Sequence, residues 1–180
     1  MLKQIVLITA LFALPAFAGR AQTGFLNRTV MEAGEEYRYQ VYVPADWNDH
    51  KKWPVILFLH GAGERGDDGL LQSDVGLGHA IRKNAAAFPF IVVMPQCRKG
   101  KVWTQPDMEA QALGALDRSI KEFHGDRERV YLTGLSMGGF GTWDLAAKYP
   151  GRFAAYVVIC GGISPLPQLP DIAVALAKEH

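Results

Sequence analysis

Residues 130–148, VYLTGLSMGGFGTWDLAAK, decide the fold of this 180-residue chain. An apolar run at 130–133 has the length of a buried strand, and helical spacing begins at Met137 and continues to Lys148. A tight turn with glycine at positions 134 and 138 stands between them. Since a strand that passes through a short turn into a helix is the building unit of a parallel sheet, the stretch predicts an α/β protein.

Further apolar runs of strand length lie at residues 55–59, 90–94 and 156–159. Their apolarity is continuous rather than alternating, which indicates burial on both faces of a sheet. Residues 37–43 alternate instead and end at Pro44, as is typical of an antiparallel strand. Its hairpin partner is expected between Gly24 and Glu32.

Helical patterns separate these strands. The clearest pattern begins near Asp107, predicted as the N-cap, and ends near Gly125, while a weaker one covers residues 75–87. Strand–helix–strand connections are right-handed and place helices over the sheet. The predicted fold is therefore a doubly wound, mostly parallel sheet with helices on both faces and an antiparallel N-terminal edge.

Composition limits the partners that this chain can have. The 19 basic and 18 acidic side chains leave a formal charge of +1, and no long run of one sign occurs. Nucleic acid, which requires a basic surface, is therefore not an expected partner.

The first residues predict export. Lys3 precedes an almost wholly apolar run at 5–14, and Ala16-Phe17-Ala18 matches a small-x-small cleavage site before Gly19. The apolar run is well short of the roughly 20 residues that span a bilayer, which favours a cleaved signal peptide over a membrane anchor. We therefore expect a signal peptide at 1–18, one domain at 19–180, and a secreted or periplasmic bacterial protein without a stable membrane anchor.

The turn at 134–138, GLSMG, matches the pattern G-x-S-x-G. A nucleophilic serine on such a turn needs small neighbours, which Gly134 and Gly138 provide, and the N-terminus of the next helix favours an oxyanion. Ser136 is therefore the predicted nucleophile, and the Met137 amide is the predicted oxyanion donor. The alternative is a turn that only packs closely or holds a phosphate, but neither G-x-G-x-x-G nor G-K-[ST] occurs here.

A second oxyanion donor is expected from the glycine-rich residues 60–66, HGAGERG, which follow the strand at 55–59. The Ala62 amide is the first candidate and Gly63 the competing one. His60 ends the strand directly before this loop. We interpret it as structural rather than as the general base, because a triad base follows the serine in this chain order.

Several segments together resemble a known group of enzymes. They are LHGAGERG at 59–66, MPQC at 94–97 followed by Trp103, the GLSMGG turn, and Tyr149-Pro150 followed by Phe153. From Tyr37 to Gly162 the chain resembles the α/β-hydrolase superfamily. More narrowly, it resembles secreted bacterial esterases related to polyhydroxybutyrate depolymerases, feruloyl esterases and prolyl-oligopeptidase-like predicted peptidases.

The resemblance implies a catalytic acid and then a histidine after two further strands. Asp171 is better explained as a helix cap, His180 is the last residue, and His79 and His124 fit exposed positions in or beside helices. We therefore expect an α/β-hydrolase fold whose C-terminal part is missing, so that the complete triad belongs to a longer protein.

The two cysteines, Cys97 and Cys160, each follow a predicted strand. In the strand order typical of such hydrolases, two other strands separate them, a gap of about 14 Å at ~4.8 Å per strand. Because a disulfide needs Cα atoms within about 7 Å, free thiols are predicted.

The expected activity is hydrolysis of carboxylic esters through an acyl-enzyme on Ser136, without metal or cofactor. Substrates would be small esters or esters linked to plant polysaccharide, or polyester fragments. His60, Gly63, Gln96 and Trp103 are candidate substrate-binding residues, and Trp103 is equally expected to anchor a loop. The alternatives are a peptidase or acyltransferase with the same nucleophile, and an inactive domain.

Overall fold

The computed structural model describes residues 22–162, which form a six-stranded sheet in the order β1-β2-β4-β3-β5-β6. The predicted signal peptide and the candidates Asp171 and His180 lie outside the described residues. The strands are β1 (Gly24–Glu32), β2 (Glu35–Val43), β3 (Trp53–Leu59), β4 (Ile91–Pro95), β5 (Gly125–Leu135) and β6 (Ala155–Ile159).

The pairing of these strands confirms the predicted fold class. β4, β3, β5 and β6 are parallel neighbours, while the β1–β2 hairpin joins β4 in antiparallel orientation. Three helices connect the strands: α1 (Gly76–Lys83), α2 (Pro106–Glu122) and α3 (Met137–Lys148). α2 and α3 share one apolar cluster, and α1 contributes to a second one.

Each of these clusters covers one face of the sheet. In β4, Ile91 and Val93 belong to the first cluster, whereas Val92 and Met94 belong to the second. Successive side chains of a strand point to opposite faces, so the continuous apolar run is buried on both sides, as predicted. β6 differs, because it is the outermost strand of the described sheet and Val157 is 60% exposed.

Two predicted helix boundaries are wrong. Asp107 is not the N-cap of α2: Gln105 holds that position and Pro106 begins the helix, where its missing N–H costs no hydrogen bond. The Asp107 carboxylate instead pairs with Lys101 at 2.9 Å. The helix predicted at 75–87 is α1 followed by a separate 3₁₀ turn, because the backbone of Asn84 is not helical (φ −152°, ψ 74°).

The two cysteines are free thiols, as predicted. β3 and β5 lie between β4 and β6, so the strands that precede the cysteines are not neighbours. Cys97 is buried, and burial raises the pKa of its thiol to about 11, whereas Cys160 is exposed. The described helices, those between residues 22 and 162, are too short or too polar to cross a bilayer.

Candidate active site

Ser136 stands at the turn between β5 and α3 and is exposed to solvent. Its backbone has φ 54° and ψ −114°, a region that residues with a side chain rarely occupy. Its N–H donates to the carbonyl of Ile159 at 2.8 Å, which ties the turn to β6. The strained turn therefore presents the serine at the carboxyl ends of the parallel strands, at the N-terminus of α3.

Two glycines of the turn are required by close backbone contacts. A Cβ atom at Gly138 would overlap the carbonyl oxygen of Leu59 and would lie 2.8 Å from that of His60. A Cβ atom at Gly134 would overlap the carbonyl oxygen of Gly138. The absence of side chains lets the first turn of α3 pack directly on the end of β3.

This contact brings a second segment beside the serine. We call residues 60–69, HGAGERGDDG, the 60–69 loop. A Cβ atom at Gly61 would lie 3.9 Å from the Cβ of Ser136, so the loop passes next to the serine. Ala62 and Gly63 begin a 3₁₀ turn and Met137 begins α3, and the first N–H groups of a helix have no acceptor within it. Among residues 22–162, none of these three N–H groups donates to an acceptor outside its helix. Unpaired N–H groups therefore occur in the residue after Ser136 and in the loop that passes beside it, and both Ala62 and Gly63 remain candidates.

His60 is buried and has both ring nitrogens engaged. Its Nε2 accepts the Cys97 N–H at 2.9 Å, and its Nδ1 lies 2.6 Å from the Gly61 carbonyl oxygen. We infer that Nδ1 carries the proton, because only a donor can bond to a carbonyl oxygen. Burial lowers the pKa of His60 to about 4, so the ring is neutral near pH 7. This environment favours the structural interpretation of His60.

The buried ring makes the stability of the protein dependent on pH. Because the pKa of His60 falls from 6.5 to about 4 on folding, only the unfolded chain takes up a proton between these values. The contribution of His60 to the free energy of unfolding is fully present above pH 6.5 and decreases by about 3 kcal/mol as the pH falls to 4. Urea unfolding of the native protein and of His60→Gln, at several pH values, measures this. Equal pH slopes in the two proteins would contradict the prediction.

Gln96 and Trp103, predicted to line the substrate pocket, are both buried. The indole N–H of Trp103 donates to the His60 carbonyl at 2.9 Å, and its ring packs edge-on against the imidazole at 5.0 Å. The side-chain amide of Gln96 bonds to three residues of the 60–69 loop. A pocket-lining role is not supported for either residue, because their polar atoms are taken up by the protein. The alternative for Trp103, a loop anchor, fits its contacts.

No histidine or carboxylate among residues 22–162 is hydrogen-bonded to the Ser136 hydroxyl. His79 and His124 are exposed, as predicted. Glu64 and Asp68, which contact His60 and Gln96, were not predicted as site residues from the sequence. Their place as charged residues in a glycine-rich loop was a signal that could have identified them. Glu64 Oε2 lies 3.8 Å from His60 Nδ1, and Asp68 Oδ1 accepts from Gln96.

A doubly wound sheet with an exposed, strained serine between a parallel strand and its following helix defines the class of α/β hydrolases. The model of the Esterase family, described as "Putative esterase", matches residues 31–171. The chain belongs to this family.

Individual relatives agree with this assignment. The chain is 30% identical over 135 residues to dipeptidyl-peptidase 5 of Porphyromonas gingivalis, covering 67% of this chain and 19% of that protein. It is 29% identical over 139 residues to a bifunctional acetylxylan esterase/xylanase of Neocallimastix patriciarum, covering 76% and 20%. A solved structure of a thermostable esterase is 33% identical with a TM-score of 0.70, covering 82% and 44%. The chain thus spans less than half of the length of each of these three proteins.

Proposed function

We propose that the protein is a serine hydrolase of carboxylic esters that works through an acyl-enzyme on Ser136. The observation that carries this proposal is the exposed serine at φ 54°, beside amide N–H groups that have no acceptor among residues 22–162. Backbone strain of this kind persists only where the surrounding structure enforces it, and it is concentrated at functional sites.

The proposed reaction has two steps. The Ser136 hydroxyl attacks the ester carbonyl, its proton passes to a general base, and the base returns a proton to the leaving alcohol. Water then releases the acid and regenerates the hydroxyl. We place the base and its acid partner after Gly162, because both follow the serine in the chain order of this fold.

The negative charge that develops on the carbonyl oxygen would be held by the amides of Met137 and Ala62. Met137 is the first residue of α3, where the free N–H groups and the helix dipole favour an anion. Ala62 belongs to the loop whose Gly61 adjoins Ser136. Gly63, which also has an acceptor-free amide in the described residues, is the competing second donor. None of these roles requires a metal or cofactor.

The proposed substrates are small esters or esters linked to polysaccharide. The similarity to an acetylxylan esterase/xylanase supports this class, and the signal-like residues 1–18 would bring the enzyme to substrates outside the cytoplasm. A peptidase is the second candidate, favoured by the similarity to dipeptidyl-peptidase 5.

Mixing the native protein with p-nitrophenyl acetate tests the acyl-enzyme. We expect a burst of p-nitrophenolate equal to the protein concentration, followed by slower steady release. A fluorophosphonate should add its mass to the peptide that contains Ser136. A protein that shows neither burst nor label would contradict the proposal. Turnover of peptide anilides but not of esters would favour the peptidase.

A further inference from the structure

We propose that Gln96 is a positioning residue that fixes the 60–69 loop and thereby the second oxyanion N–H; this inference rests on the function proposed above. Gln96 directly follows β4 and is 2% exposed. Its Oε1 accepts the Gly69 N–H at 2.7 Å. Its Nε2 donates to the Glu64 carbonyl and to Asp68 Oδ1, each at 3.1 Å. Both N–H groups and the oxygen of this amide are thus bonded to one loop.

The main chain beside Gln96 holds the same loop. The Gly66 N–H donates to the Cys97 carbonyl at 2.9 Å, and the Cys97 N–H donates to His60 Nε2 at 2.9 Å. The bonded residues lie on both sides of Ala62 in the chain: His60 precedes it, and Glu64 and the residues after it follow. Because both flanks are attached to the end of β4, the direction of the Ala62 N–H follows from the position of residues 96 and 97.

The fit between Gln96 and the loop is close. A Cβ atom at Gly66 would lie 2.7 Å from Gln96 Nε2, so the loop backbone passes directly over the side-chain amide. Asp68 completes the arrangement, because the same Oδ1 that accepts from Gln96 also accepts the N–H groups of Leu70 and Leu71 at 2.7 and 3.1 Å. These hydrogen bonds hold the pKa of Asp68 below its ordinary value and keep it an acceptor.

The contacts of Gln96 therefore distinguish a loop-positioning role from a substrate-binding role. A residue that binds substrate needs a polar group directed at a ligand, but both N–H groups of Gln96 already have protein acceptors. A residue that positions the loop needs several bonds to it and burial, and Gln96 has both. Replacing it should alter the transition-state complex more than the binding of substrate.

Gln96→Leu removes these three bonds and keeps a similar volume. We expect kcat for ester hydrolysis to fall by about 10- to 100-fold with KM little changed, since loss of a whole oxyanion donor costs about 10²- to 10³-fold. Binding of a trifluoromethyl ketone, which forms an oxyanion on the enzyme, should weaken by a similar factor, and binding of the product acid should not. Gln40→Leu is the matched control, because Gln40 is also buried and its amide bonds only to Asn27.

Amide hydrogen exchange gives a readout that is independent of activity. In Gln96→Leu the amides of the 60–69 loop should exchange at least about 10-fold faster than in the native protein, and in Gln40→Leu they should not. Unchanged loop exchange, or faster exchange with native kcat, would overturn the inference. If the native protein hydrolyses no ester, the proposed function fails, and exchange still decides whether Gln96 fixes the loop.

A charge change supplies a rescue test should the leucine variant not fold. Gln96→Glu keeps the acceptor for Gly69 but sets a carboxylate against the Glu64 carbonyl and the Asp68 carboxylate. We expect a loss of kcat as large as that of the leucine variant. Adding Asp68→Asn should restore part of it, because it removes the repulsion between the two facing carboxylates. Absence of any rescue, with a folded double variant, would count against the assigned contacts.

Discussion

Replacing Ser136 by alanine is expected to lower ester hydrolysis by about 10⁴-fold or more and to abolish fluorophosphonate labelling. The Ser136 hydroxyl is the only protein group in the proposed mechanism that forms a covalent bond to the substrate. The oxyanion-donor amides alone would give only a small residual rate. The free energy of unfolding should change little, because alanine meets the same strain at φ 54° as serine does. Initial rates, label incorporation and urea unfolding measure the three quantities.

Ser119→Ala provides the control for this substitution. Ser119 is buried in α2, and its hydroxyl donates to the Ala115 carbonyl at 2.8 Å. Its loss should cost about 1 kcal/mol of stability and leave labelling at the native level. Labelling that persists in Ser136→Ala, or that disappears in Ser119→Ala, would show that the reactive hydroxyl lies elsewhere.

Gly138→Ala is expected to produce the largest loss of stability, about 3 kcal/mol or more. The new methyl group would overlap the carbonyl oxygen of Leu59 and approach that of His60 to 2.8 Å. Backbone atoms of a central strand cannot rotate away as a flexible side chain can, so α3 would have to move away from β3. The soluble yield and the midpoint of urea unfolding test this.

Gly63→Ala is the matched substitution for the stability measurement. A Cβ atom at Gly63 would have no neighbour within 4 Å, and its φ is not positive. Its free energy of unfolding should therefore remain within about 0.5 kcal/mol of the native value. Equal destabilisation by the two substitutions would mean that α3 does not pack on β3 as described.

The sequence predicts the elements of the fold well where one local signal dominates. The run at 137–148 agrees with the structure at both ends, because the glycine-rich turn before it and Tyr149-Pro150 after it mark its limits. The hairpin partner expected between Gly24 and Glu32 coincides with β1. β5 is longer than the apolar run that predicts it, since Gly125 also pairs with Trp53 of β3 and the polar residues 126–129 form an irregular stretch before the next pair, Val130 with Val55. Apolar periodicity alone does not detect a strand segment that lies on the surface.

Part of the candidate site was likewise predictable from a local sequence signal, and part was not. A G-x-S-x-G turn between a strand and a helix singles out Ser136, because the motif and its context lie within one short segment. The role of Gln96 was not visible, because its partners in the 60–69 loop lie about thirty positions earlier in the chain. Gln96 and the loop come together because β4 lies next to β3, and this strand order is a property of the folded sheet.

By itself, the sequence determined the parallel sheet and the strained serine turn and predicted the class of chemistry, because side-chain periodicity and turn preferences act over a few neighbouring residues. The tertiary structure alone decided that the 60–69 loop passes beside Ser136, that His60 is neutral and enclosed, and that Gln96 holds the loop. Each of these depends on which strands are neighbours and on how closely backbones approach. Such contacts join residues that are far apart in the chain, so no local sequence pattern indicates them.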